Sequence, residues 1–151
     1  MISIRKYRES DLSAVLSAWE NAQCLAHPFL SEDFQAQEKK NVRDLYLPNV
    51  ETWVIEVDGV VVVVGFVSLI QNEIGGLFLQ PTHIGKNFGK MLVDKALEFH
   101  NELIVEVFEK NIVGRKFYAK YGFRFVAEKT HEQTGERVFR LRFSNERKND
   151  C

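Results

Sequence analysis

Cysteine is scarce in this chain of 151 residues: there are two, Cys24 and Cys151. Their spacing makes neither a metal site nor a disulfide framework, and a reducing cytoplasm is the expected home. A surplus of one charge is also missing. Lys and Arg number 20 and Asp and Glu 21, for a net charge of −1, so bulk electrostatics points to neither nucleic acid nor a membrane surface. No apolar run approaches the roughly 20 residues of a membrane-spanning helix. The longest, residues 60–67, is broken by Gly65, and its β-branched residues read as a buried strand. The opening MISIRKYRES has no apolar signal core. No repeat or low-complexity segment occurs. What is present is 45% hydrophobic and 27% charged residues with 12 Phe, the composition of a folded domain with a well-filled core.

Ile2 and Ile4 alternate with polar residues and predict a short strand. Glu9-Ser10-Asp11 offers a cap and an acidic first turn, and Leu12, Val15, Leu16 and Trp19 recur at helical spacing, so a helix is expected over residues 11–23. Residues 24–30, CLAHPFL, carry Pro28 and read as a loop; Ser31 can cap a second helix to about residue 45, with Pro48 ending the region. Strands follow over residues 52–57, 60–70 and 74–79, joined by Asp58-Gly59 and by residues 71–73. Gly75-Gly76 predicts a bulge or a close backbone approach. After Pro81, Phe88, Met91, Leu92, Ala96 and Phe99 share one helical face. Residues 103–108 form a strand expected to run parallel to 74–79, because a helix joins them. A helix over 112–120 ends at Gly122, and strands at 123–126 and 138–143 flank Thr134-Gly135. The order β-α-α-β-β-β-α-β-α-β-β describes a single α/β domain over residues 1–143, a mixed sheet flanked by helices, with a polar tail at 144–151.

The stretch THIGKNFGKML, residues 82–92, places two glycines and two lysines at a helix start. Unpaired N–H groups and the helix dipole suit a phosphate there. It is not a P-loop: Gly85 to Lys90 is one residue short and is followed by Met91, with no hydroxyl for magnesium. It is not a dinucleotide fingerprint either, since G-x-G-x-x-G is absent and the preceding strand belongs to an antiparallel meander.

Residues 77–92, taken with NIVGRKFYAKYGF at 111–123, resemble the GNAT superfamily of N-acetyltransferases. Its pattern is a strand ending in an apolar residue, two further residues and Pro, then an [Arg/Gln]-x-x-Gly-x-[Gly/Ala] turn into a helix, another strand, then Asn…Phe-Tyr…Gly-Phe. The element order matches that family across the chain, and the AHPFL loop resembles a small bacterial subgroup. Two positions depart. Ile84 stands where the family has Arg or Gln, and Asn87 where it has its first glycine; Asn tolerates positive φ better than most residues.

The resemblance implies transfer of an acetyl group from acetyl-CoA to a primary amine, of a small molecule or a protein, by direct attack in a ternary complex. No metal, nucleic acid or membrane is expected to take part, and a monomer or homodimer is expected. The turn Ile84, Gly85, Lys86, Asn87, Phe88, Gly89 and Lys90 would hold the pyrophosphate. Leu77, Phe78 and Leu79 would bond the pantetheine arm between two splayed parallel strands, with an N–H near Leu77 polarising the thioester carbonyl. Asn111 would contact the arm beside Phe117. Tyr118 matches the general acid that protonates the leaving thiolate. For the base, Glu73 lies eleven positions before Ile84, where some members carry a catalytic Glu, yet it also reads as part of a polar turn; His27, His83 and Glu106 are alternatives. The acceptor pocket is expected from the first two helices, their loop and Trp19, and the hairpin at 131–135. A non-catalytic acyl-CoA-sensing domain is the competing reading, for which Ile84 and Asn87 leave room.

Overall fold

The computed structural model describes residues 2–57 and 62–145, so the Asp58-Gly59 turn and all but the first two residues of the expected tail lie outside the described residues. Eleven main elements follow in the expected order: β1 (Ile2–Lys6), α1 (Leu12–Ala26), α2 (Glu32–Asn41), β2 (Glu51–Val57), β3 (Val62–Ile70), β4 (Glu73–Leu79), α3 (Phe88–Leu97), β5 (Glu102–Phe108), α4 (Ile112–Tyr121), β6 (Arg124–Thr130) and β7 (Arg137–Ser144). The strands form one sheet in the order β1-β2-β3-β4-β5-β7-β6, antiparallel except for the parallel β4–β5 pair.

Both faces of the sheet are covered at its centre. Ile55, Leu103 and Val105 pack with Leu92, Val93 and Ala96 of α3 on one face. Val54 and Phe66 pack with Val15 and Trp19 of α1 on the other. Successive side chains of a strand point to opposite faces, so β2 buries Trp53, Val54 and Ile55 in a row. That is why TWVIEV reads as a continuous apolar run rather than an alternation.

The structure departs from the sequence expectation in three places. α1 continues through Cys24 to Ala26, so the loop before α2 is only His27–Ser31. Asp11 does not cap α1. Its carboxylate accepts from both Arg5 guanidinium nitrogens, at 2.8 and 2.9 Å, and from the Arg8 N–H at 2.8 Å; the charged partner outcompetes the helix terminus and holds Asp11 below the usual carboxylate range. α3 stops at Leu97, and Phe99 leaves its face to stack on Trp53 with centroids 5.5 Å apart. Ser31 caps α2 as expected, accepting from the Phe34 N–H at 3.1 Å, and a wide π-type turn at Val42–Tyr46 extends that helix.

The β4–β5 pair positions the site. Only Glu73↔Ile104 and Ile74↔Val105 are paired. Opposite β3, Ser68 pairs with Gly76 and Leu69 with Ile74, which leaves Gly75 as the extra residue of the expected bulge. Beyond it β4 diverges from β5, and the β5-facing edge of residues 75–79 carries no strand.

Candidate active site

The gap between β4 and β5 opens towards the start of α3. There Gly85 has φ +88° and Asn87 φ +68°, so the Asn at the departing position does adopt the left-handed turn. The first helical bond of α3 runs from the Met91 N–H to the Asn87 carbonyl, 3.0 Å, and the N–H groups before it have no intrahelical partner. Gly89 is needed for another reason. A Cβ there would lie 2.9 Å from Phe117 Cε1, so α3 and α4 approach only because that side chain is absent. Ile84, Gly85, Asn87, Gly89 and Lys90 line a groove of about 1460 Å³ between α3, α4 and the ends of β6 and β7, and Lys116, Lys120 and Arg124 face it from the far side. Lys90 is ion-paired with Asp94 at 2.9 Å, and the Tyr121 hydroxyl donates to the same carboxylate at 2.6 Å. Lys86 is exposed and lies outside the groove lining; the Phe88 ring is core, stacked on His83. For Phe88 the expected role is therefore left to its backbone.

Leu77, Phe78, Asn111 and Tyr118 border two smaller cavities that meet at the splayed strands, of about 120 and 380 Å³. Leu79 and Phe117 line the smaller one and the groove. Tyr118 is buried between Phe117 and Phe123, both with centroids 5.2 Å away. Burial pushes its phenol above the ordinary value, so the hydroxyl is protonated at neutral pH. No residue described hydrogen-bonds that hydroxyl, which leaves it available to the cavities it borders.

Asn111 begins α4, and its Oδ1 accepts from the Gly114 N–H at 2.9 Å. Its Nδ2 donates to His27 Nε2 at 3.2 Å, and His27 Nδ1 in turn donates to Gln23 Oε1 at 2.6 Å. The Nδ1–H tautomer follows, because Asn111 Nδ2 has no lone pair to offer. The chain Gln23–His27–Asn111 ties the end of α1 to the start of α4 across the mouth of the gap. Gln23 was not anticipated from sequence, although its place four residues before His27 on a helix is the signal that puts both on one face. Burial pushes His27 down to about 4. The unfolded imidazole titrates near 6.5, so the native state is disfavoured by His27 as pH falls from about 6.5 to about 4, and is unaffected by it above that window. Urea unfolding at pH 7.5 and 4.5 should show wild type losing about 2–3 kcal/mol more than His27→Gln; equal losses would show that His27 is not held neutral.

The other base candidates are placed differently. Glu73 starts β4 where the strands are still paired, has Arg140 at 3.8 Å, and does not line the cavities around Tyr118. His83 is bonded to Thr82 and stacks on Phe88. Glu106 borders the larger cavity but is ion-paired with Arg140 and Lys129, each at 3.0 Å. That cavity is walled by Trp19 of α1, Phe34 and Glu38 of α2, Tyr46, Phe108 and His131, the surfaces expected for the acceptor with Glu38 and Tyr46 added. Among the described residues no group of three or more His, Cys, Asp or Glu is placed to hold a metal, and no helix is long and apolar enough to cross a membrane.

A gap beside strand backbone that lacks a strand partner, a left-handed turn at a helix start and a buried protonated phenol are thus brought close together. Residues 15–123 match the model of the acetyltransferase (GNAT) family, and the chain belongs to that family. It is 33% identical over 124 residues to the peptidyl-lysine N-acetyltransferase YiaC of Escherichia coli (strain K12), covering 82% of this chain and 84% of that one. It is 32% identical over 136 residues to the peptidyl-lysine N-acetyltransferase YjaB of Salmonella typhimurium (strain LT2), covering 90% and 92%. The solution structure of apo-form YjaB from Escherichia coli shares the fold with a TM-score of 0.84 at 28% identity, over 95% of this chain and 97% of that one. The PaiA N-acetyltransferase of Thermoplasma acidophilum, solved with coenzyme A, shares it at 0.75 and 21%, over 95% and 99%. The chain is an acetyl-CoA-dependent N-acetyltransferase, and the non-catalytic sensor reading is set aside.

Proposed function

We propose that the acceptor is the side-chain amine of a lysine in a protein or peptide. The observation that carries this reading is the aromatic-walled cavity of about 380 Å³ that reaches Tyr118. An unbranched four-carbon stem packs well along such walls while its amine reaches the far end. The two relatives named as peptidyl-lysine N-acetyltransferases support it. The donor's pyrophosphate would rest on the N–H groups from Gly85 to Lys90, its arm along residues 77–79, and its nucleotide end in the groove between α3 and α4. Tyr118 would protonate the departing thiolate, and a backbone N–H near Leu77 would polarise the thioester carbonyl. Glu73 does not line that cavity. A reducing cytoplasm suits the exposed thiol of Cys24.

Two measurements test this. Acetyl-CoA at about 100 times its Kd should stabilise the protein by about 2.7 kcal/mol in thermal denaturation, with ATP and NAD giving no comparable shift. Mass spectrometry of peptides incubated with enzyme and acetyl-CoA should find the acetyl group on lysine side chains. Acetylation of small amines but of no lysine peptide would remove the acceptor assignment and leave the acetyltransferase standing.

A further inference from the structure

A lysine amine arrives as an ammonium ion and must lose a proton before its nitrogen can attack. Apart from the two tyrosines, the titratable groups lining the cavity that reaches Tyr118 are His27, Glu38, Glu106 and His131. The first three are committed elsewhere. His27 has both ring nitrogens bonded, to Gln23 and Asn111, and burial holds it neutral down to about 4. Glu106 is ion-paired with both Arg140 and Lys129, each at 3.0 Å. Glu38 accepts from Asn41 Nδ2 at 2.9 Å, and a carboxylate is intrinsically about two pKa units less basic than an imidazole.

His131 is arranged otherwise. Its Nδ1 lies 2.9 Å from Thr134 Oγ1, and no described residue hydrogen-bonds its Nε2. Thr134 Oγ1 also accepts from the Glu136 N–H at 3.2 Å. Its two lone pairs can serve that N–H and the imidazole Nδ1–H together, which leaves the Nε2 lone pair free. The hairpin holding the ring is pinned by the His131 N–H to Glu136 carbonyl bond and the Gly135 N–H to His131 carbonyl bond, each 2.7 Å. The ring sits edge-on to Phe108 of β5, 5.3 Å between centroids, and to Phe34 of α2, 5.9 Å. Facing it across the cavity are Glu38 from α2, Glu106 from β5 and His27 from the end of α1, and the Lys110–Glu136 pair closes the base of the hairpin at 3.1 Å. A base whose second nitrogen is oriented by a hydroxyl follows the general arrangement of an activated proton acceptor.

We infer that His131 is the general base of the acetyl transfer, its Nε2 taking a proton from the acceptor ammonium directly or through one water. The inference rests on the cavity being the acceptor's. The protons balance as follows. One proton of the ammonium passes to His131 Nε2. The amine nitrogen then bonds to the thioester carbonyl carbon as the carbon–sulfur bond breaks. Tyr118 gives its proton to the departing thiolate and regains one from the nitrogen that has become an amide. His131 releases its proton to water, so one proton leaves per amide formed.

The test uses whichever amine the wild-type enzyme acetylates. If that is only a small amine, the lysine assignment fails while the test of His131 proceeds unchanged. His131→Ala should lose about 10²-fold in kcat with the KM for acetyl-CoA unchanged. The acidic limb of its pH–kcat/KM profile should be lost or displaced, and added imidazole should restore turnover in this variant but not in Tyr118→Phe. His131→Gln provides a second variant with retained bulk, and thermal denaturation of both checks folding. Activity within about threefold of wild type in either folded variant would overturn the assignment. So would a loss that imidazole does not relieve and that leaves the pH profile unchanged.

Discussion

Tyr118→Phe is expected to lower kcat by about 10³-fold at neutral pH, with the KM for acetyl-CoA within roughly threefold of wild type. The substitution removes one oxygen and leaves the packing. The ring keeps its contacts with Phe117 and Phe123, and no described residue loses a hydrogen bond, so the melting temperature should hold. Only the proton for the departing thiolate disappears. Because burial raises the phenol, the wild-type hydroxyl stays protonated across the neutral range. The difference between the two proteins should therefore be flat with pH there. Steady-state kinetics with the best acceptor measures it. An unchanged kcat means that the thiolate leaves unaided or is protonated from elsewhere.

Asn111→Ala should cost about 2–4 kcal/mol of stability, roughly 5–12 °C in melting temperature. Two losses add. The Gly114 N–H loses its cap acceptor, and the buried His27 Nε2 loses its donor with no water-exposed alternative. Asn111→Asp separates them. The carboxylate still caps α4, but it brings an anion to an acceptor nitrogen that only a protonated His27 can satisfy. His27 should then titrate above its present value of about 4. Thermal denaturation at neutral pH should rank wild type above Asp and Asp above Ala. Equal melting temperatures for wild type and Ala would show that the tie between α1 and α4 carries little energy.

How much of this was legible in the sequence depends on distance along the chain. Elements set by local pattern came through: the alternation at Ile2 and Ile4, the Ser31 cap, the Gly75 bulge and the Gly122 stop are all signals within a few residues. Asp11 reads as a cap for α1 because its partner, Arg5, sits on a strand that the cap rule does not consider, and that charge with the Arg8 N–H takes up its carboxylate. Phe99 fits the helical period of α3, yet the helix has already ended and Trp53 from β2 supplies a flat ring to stack on. At the site, motif residues such as Asn87 and Tyr118 were visible because their neighbours carry the pattern. Glu38, Tyr46 and the Gln23–His27–Asn111 chain were not, since they come together only when α1, α2 and α4 close over the sheet. Glu73 shows the converse. Its spacing from Ile84 is suggestive, but the two parallel pairs at Glu73 and Ile74 place it where the strands have not yet separated.

Those two residue pairs have a mechanical meaning. Four strands lie on one side of that junction and three on the other, so the sheet is two panels stitched at a single corner. Beyond that corner, residues 75–79 of β4 have no strand paired with them on the β5 side. An extended ligand with amide groups along its length, such as the donor's arm, would supply the missing rungs of that ladder. Donor binding would then complete the protein's own secondary structure and tie the two panels together.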